Sequence, residues 1–317
     1  MFSVADGNDT GWERKVLEKV ALESIVEQRR GRRWGIFFKL LGFAYVAVVL
    51  GFLIDWGQTE TFAEGHKFTA LVSLTGVIQA KGDANAENVN AALLSAFEHK
   101  HTAGVVLKIN SPGGSPVQAG MINDEIRRLR VAYPSIPLYV VVEDVCASGG
   151  YYVAAAADKI FVDKASIVGS IGVLMDGFGF TGAMEKLGIE RRLLTAGESK
   201  GFLDPFSPQN AQHKDHAQKM LAEIHQQFIE VVRKGRGTRL KESPEMFSGL
   251  MWSGAKSVEL GLTDAYGTVD SVARDVIKAE EIRDFSVKQN IAEKFAKQFG
   301  ADMAEGAVRA FSRVSIR

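Results

Sequence analysis

The run DVCASGGYY (144–152) places Ser148 between an apolar stretch, LYVVVE (138–143), and a short alanine-rich one, 151–157. Read as strand, turn and helix, this sets a serine hydroxyl at the positive end of a helix dipole, beside the bare Gly149 N–H. A hydroxyl so placed serves as an N-cap, or attacks a carbonyl whose oxyanion the Gly149 N–H receives. The pattern is not G-x-S-x-G, since position 146 is cysteine, and an α/β-hydrolase elbow is disfavoured. Cys146, the single cysteine, is a rival nucleophile by type alone. No histidine neighbours it in sequence, and it lies on the approach to the turn, where a side chain packs.

A second run, NSPGGS (110–115), follows the apolar GVVLKIN (104–110) and opens a predicted helix. Ser115 suits the N-cap, Pro116 the first helical position, and Gln118 completes a capping box. The run is a strand-to-helix turn, and its consecutive glycines also suit an oxyanion hole, because they present bare N–H groups. Losing one such donor costs about 3–4 kcal/mol of transition-state stabilisation.

A serine nucleophile needs a base. The histidines, at 66, 99, 101, 213, 216 and 225, offer no catalytic turn. His99 and His101 fall at a polar helix end, and His213, His216 and His225 on a long charged helix, so all read as solvated. Lys200, in TAGESKGFLDPF (195–206), is the other option. To accept a proton near pH 7 its pKa must fall from ~10.4 by about three units, or roughly 4 kcal/mol. Phe202, Leu203 and Phe206 supply the apolar rim for that, and Glu198 and Asp204 are expected to point away. An ordinary loop lysine is the alternative reading of the same residues.

The elements that must position these groups read as strands alternating with helices. Strands are predicted at 70–73 and 77–78 with a break at Gly76, then at 104–110, 138–143, 160–162 and 191–194. Helices are predicted at 89–99, 117–130, 151–157, 182–187 and 208–234, the last with Met220, Leu221, Ile224, Phe228 and Val231 on its apolar face. Continuous apolar strands between helices imply a parallel sheet covered on both faces.

Outside this region, WGIFFKLLGFAYVAVVLGFLI (34–54) has the length, about 20 residues, that a helix needs to cross a bilayer. Lys39 lies near enough to its N-terminal end to snorkel. Arg29, Arg30, Arg32 and Arg33 precede it, which places 1–33 in the cytoplasm and the rest outside. A cleaved signal peptide fits less well, because the run is long, starts deep in the chain and lacks an A-x-A site. Val16, Val20, Leu22 and Ile25 mark an amphipathic helix ahead of it. Residues 55–67 read as a linker. Residues 285–317 read as an amphipathic helix, with Ile291, Phe295, Phe299 and Met303, that packs on its own domain, a neighbouring subunit or a membrane surface.

The 38 Lys plus Arg balance 38 Asp plus Glu, which argues against a nucleic-acid partner. One cysteine excludes an internal disulfide, and no metal-ligand spacing is present, so neither a metal nor another cofactor is expected.

Taken together, LTGVI (74–78), NSPGGS (110–115), ASGGYY (147–152), GSIGV (169–173), GESKGFLDPF (197–206) and GLMWSGAKSVELGLTDAYG (249–267) resemble the short form of the signal peptide peptidase A family, peptidase family S49. The segments fall in the family's order, and the resemblance spans roughly 68–275. It implies an α/β, ClpP/crotonase-like fold, with parallel sheets and flanking helices, preceded by one transmembrane helix. The expected organisation is a cytoplasmic segment 1–33, a membrane helix 34–54, a linker 55–67, a protease domain 68–284 and a tail 285–317.

The resemblance further implies a Ser148/Lys200 dyad, the Gly114 and Gly149 N–H groups as oxyanion hole, and Ser170 orienting the lysine amine. It implies extended apolar peptides, including cleaved signal peptides, as substrates. It also implies a homo-oligomer in which Ser148 meets Lys200 of an adjacent subunit, at the outer side of a bacterial inner membrane. Two other classes are a crotonase-type acyl-CoA enzyme and a non-catalytic membrane scaffold. CoA-thioester binding unaffected by Ser148→Ala distinguishes the first, and peptide cleavage that survives both Ser148→Ala and Lys200→Ala leaves the second.

Overall fold

The computed structural model describes residues 66–287, together with 16, 18, 19, 22, 30 and 32–46. The chain divides into two units, Met1–Ala63 with Ile291–Arg317, and Glu64–Asn290. In the first, residues 32–46 are helical and exposed. Among the described residues no helix is long and apolar enough to cross a membrane. The expected span continues through 47–54, which lie outside the described residues, as do most of 1–33, most of the linker and 288–317.

The second unit is built on β1 (Phe68–Thr75), α1 (Ala86–Glu98), β2 (Thr102–Ser111), α2 (Pro116–Ala132) and β3 (Leu138–Ala147). Then come α3 (Gly149–Ala154), β4 (Lys159–Val162), β5 (Ile167–Gly169), α4 (Thr181–Lys186) and α5 (Ala211–Arg236). The remainder is β6 (Met251–Ser253), α6 (Gly254–Glu259), β7 (Ala265–Tyr266), α7 (Val269–Ser271, running on as a π turn over Val272–Ile277) and β8 (Ile282–Asp284). The strands run in the order β6-β5-β3-β2-β1-β8, with β4 between β3 and β7. Every pairing is parallel except β5 with β6.

This is the mixed α/β, mostly parallel architecture expected of a ClpP-like fold. The apolar stretches of the central strands, 104–107 in β2 and 138–142 in β3, are covered on both faces, as such runs require. Leu93 and Phe97 of α1 and Ile122, Ile126 and Leu129 of α2 fill the core on one side. Val106, Val141, Phe161 and Val272 close a smaller cluster on the other. β3 pairs with β4 along residues 139–141 and with β5 along 145–147, so the sheet forks near its middle. The fork carries the end of β3, and with it Ser148, away from the β4 branch.

Three expectations change. Residues 191–194 form no strand: they are exposed and irregular, and Leu194 is 96 % exposed. Residues 77–78 contribute a single bridge, Ile78 to Gly114, because Gly76 turns the chain with φ 90°. Residues 285–287 are not helical. Phe285 donates its N–H to Leu71 O at 2.8 Å and stacks on Phe68, prolonging the sheet edge beyond β8.

Candidate active site

Ser148 leaves β3 with φ 52° and ψ −123°, a conformation few non-glycine residues adopt. Its N–H donates to Gly169 O at 2.8 Å, so the neighbouring strand β5 fixes the turn. The hydroxyl makes no capping bond to α3, which removes the N-cap reading. The side chain is half-buried at the head of α3.

The glycine run packs directly onto this turn. A Cβ on Gly113 would lie 2.7 Å from the Ser148 Cβ and 2.7 Å from the Gly149 nitrogen. A Cβ on Gly149 would lie 3.3 Å from the Gly114 nitrogen. The backbone amides of Gly114 and Gly149 therefore share one corner with Ser148. The ladder beside them runs from Ile78 N–H to Gly113 O and from Ser115 N–H to Ile78 O. That pattern passes over the Gly114 N–H and leaves it for another acceptor.

Ser115 caps α2 as expected, accepting from Gln118 N–H at 3.4 Å, with Pro116 following. The capping box is not formed. The Gln118 side chain instead accepts from Ala86 N–H at 2.8 Å, at the start of α1.

Ser170 also has positive φ, 51°, and follows Gly169, which pairs with Ala147. Its N–H donates to Leu250 O at 2.8 Å. Ser148 and Ser170 thus stand at adjacent strand ends. Cys146 is fully buried, and burial pushes its thiol far above the ordinary range, so it is chemically inert.

Lys200 lies in a turn, exposed, its N–H donating to Gly197 O at 3.1 Å. Among the described residues no hydrogen bond joins it to Ser148 or Ser170 of the same chain. Asp204 turns elsewhere: it accepts from Ser207 Oγ at 2.6 Å and pairs with Arg191 at 2.9 Å. The Ser207 bond, with help from Arg191 and the Phe206 N–H, holds its carboxyl below the usual value. The segment around Lys200 exposes Leu174, Phe178, Leu187 and Leu194, each at least 73 % accessible.

Some supporting residues carried no sequence signal. Buried Ser111 accepts from Gly113 N–H at 3.1 Å and donates to Gly76 O at 2.7 Å, fixing the glycine run. Buried Asn123 donates to Tyr152 O at 2.7 Å, and Tyr151 Oη donates to Leu262 O at 2.6 Å, so α3 is anchored from two sides. His225, expected to be solvated, is half-buried, with Nε2 3.1 Å from Ile171 O, just past Ser170.

The family model described as peptidase family S49 matches residues 133–283. The protein SppA of Enterococcus faecium is 30% identical over 238 residues, covering 72% of this chain and 69% of that one. The chloroplastic serine protease SPPA of Arabidopsis thaliana is 29% identical over 186 residues, 57% of this chain and 27% of that protein. The Na(+)/H(+) antiporter NhaA of Brucella abortus is 43% identical over 209 residues, 64% of this chain. The match spans only 28% of the antiporter's length.

Proposed function

The chain belongs to peptidase family S49, and on that premise we propose that it is a membrane-anchored serine endopeptidase using Ser148 and Lys200. One observation carries this reading. A serine free of capping duty is held at positive φ against the amides of Gly114 and Gly149.

In the proposed reaction, neutral Lys200 Nζ takes the Ser148 proton as Oγ attacks the peptide carbonyl carbon. The carbonyl electron pair becomes an oxyanion received by the Gly114 and Gly149 N–H groups. Lys200 returns the proton to the leaving amine nitrogen, giving an acyl-enzyme. Water then attacks the ester, passing its proton through Lys200 to Ser148. Ser170, beside Ser148, orients the amine.

Lys200 is supplied by a neighbouring copy in this proposal. The exposed large apolar side chains between residues 174 and 194 support that view, since apolar surface left open in this way suits an interface. The substrates proposed are extended apolar peptides such as cleaved signal peptides, bound by strand addition. Residues 34–54 anchor the chain in a bacterial inner membrane, with 1–33 cytoplasmic and the domain outside. The chloroplastic relative's name, a serine protease, agrees with the chemistry.

Steady-state hydrolysis of an apolar peptide by the full chain tests this. Ser148→Ala and Lys200→Ala must each abolish turnover, and mixing the two variants must restore part of it. Turnover that survives either substitution refutes the dyad. Failure of the mixture to regain any activity refutes the shared site.

A further inference from the structure

The two chemistry-bearing runs begin with residues for which the reaction above has no use, Asn110 and Asp144. Asn110 Nδ2 donates to Asp144 Oδ2 at 2.9 Å. Resting on the serine-peptidase reading, we infer that Asn110 and Asp144 are a positioning pair that holds the oxyanion donors at their distance from the nucleophile.

The ladder between β2 and β3 slips at this point. Ile109 pairs with Val142 and Ser111 with Cys146, so two residues along β2 face four along β3. Asn110 has no ladder partner across this bulge. Toward β1 its carbonyl accepts from Gly76 N–H at 2.9 Å. Toward β3 only its side chain reaches across. Immediately after Asn110, β2 delivers Gly113 and Gly114, and immediately after the bulge, β3 delivers Ser148 and Gly149. Relative movement of the two strand ends here translates into separation of the two oxyanion donors.

The rest of the bulge is secured on other sides. Glu143 pairs with Lys108 at 3.0 Å, its carbonyl accepts from Ser166 Oγ at 2.6 Å, and Val145 pairs with Ile167. None of these contacts spans from Asn110 to the end of β3. A charge-assisted bond suits the task, being shorter and more directional than a neutral one.

A swap series on the full chain tests the pair, with kcat and KM on an apolar peptide, affinity for a peptide aldehyde and thermal midpoint measured for each variant. Asn110→Ala and Asn110→Asp should lower kcat by about ten- to a hundredfold and weaken the aldehyde in parallel, with KM little changed. Asp144→Asn, which still accepts from Asn110, should lose less than Asp144→Ala. In Asn110→Asp with Asp144→Asn, the amide donates from the other side, and kcat should recover to within about threefold of wild type while Asn110→Asp alone stays low. Recovery of kcat beyond any recovery of thermal midpoint identifies positioning rather than folding. The inference is overturned if Asn110→Ala turns over like wild type, if the swap is no better than Asn110→Asp, or if kcat merely follows the midpoint. Ser148→Ala, run alongside, separates the two levels: hydrolysis surviving that change sinks the peptidase mechanism itself.

Discussion

Replacing Gly114 with alanine should cripple turnover while leaving the protein folded. A Cβ at this position would sit 2.2 Å from Ile78 O and 2.9 Å from Ile78 N, both backbone atoms that no rotamer change can clear. The glycine also has φ +146°, where an L side chain is strained. Restoring an ordinary contact requires the loop to shift by roughly 1 Å, enough to cost about a hundredfold in a catalytic geometry. Loss of one oxyanion donor is worth about a hundred- to a thousandfold in kcat. Gly114→Ala should therefore lower kcat at least about a hundredfold, leave KM nearly unchanged, and cost about 1–3 kcal/mol of stability from the backbone alone. Gly120, in α2, is the control, since a Cβ there meets nothing within 4 Å. Gly120→Ala should stabilise the fold by about 0.5–1 kcal/mol and leave kcat intact. Peptide hydrolysis and urea unfolding of the two variants give both numbers. A Gly114→Ala protein with kcat within about threefold of wild type would refute the reasoning.

Arg236 is 1 % exposed and pairs with Asp264 through two hydrogen bonds, at 2.8 and 2.9 Å. Asp264→Ala strands that buried cation and should cost about 3–5 kcal/mol, read from urea unfolding. Burial opposes the Asp264 charge, but the Arg236 bonds, with Ile160 N–H and Arg239, outweigh it and hold the carboxyl below its usual value. A depressed folded pKa means stability present above the unfolded value, about 3.9, and lost as pH falls through the folded one. The gap between wild type and Asp264→Ala should thus narrow below about pH 4, as unfolding at stepped pH will report. Cys146 should resist a thiol reagent in the native protein and react fully in denaturant, with hydrolysis unaffected by prior reagent treatment.

The long elements were legible because their signal is long. β2 and β3 each contain a continuous apolar stretch, 104–107 and 138–142, and α1, α2 and α5 repeat apolar side chains at helical spacing over several turns. β5, β6 and β8 span three residues each, too short for periodicity, and exist through what they pair with. The bulge in β3 was invisible for a related reason. LYVVVEDVCA reads as one strand, and only the partners on either side show that its register slips. Within the candidate site, the serine and glycines announced themselves by type and order. Asn123 did not, because an asparagine at a helical position normally faces water, whereas here the helix buries it under Tyr152. His225 was misread for the same reason, as one polar residue on a charged helix. Lys200 is legible as a type but not as a contact, since a single chain leaves it on an exposed turn.

The most direct test is covalent labelling of the protein with a peptidyl fluorophosphonate, followed by mapping of the adduct. The account predicts one phosphonylated residue, Ser148, with labelling lost in Lys200→Ala and in Ser148→Ala. Stoichiometric labelling at any other residue, or undiminished labelling of Ser148 without Lys200, would contradict it.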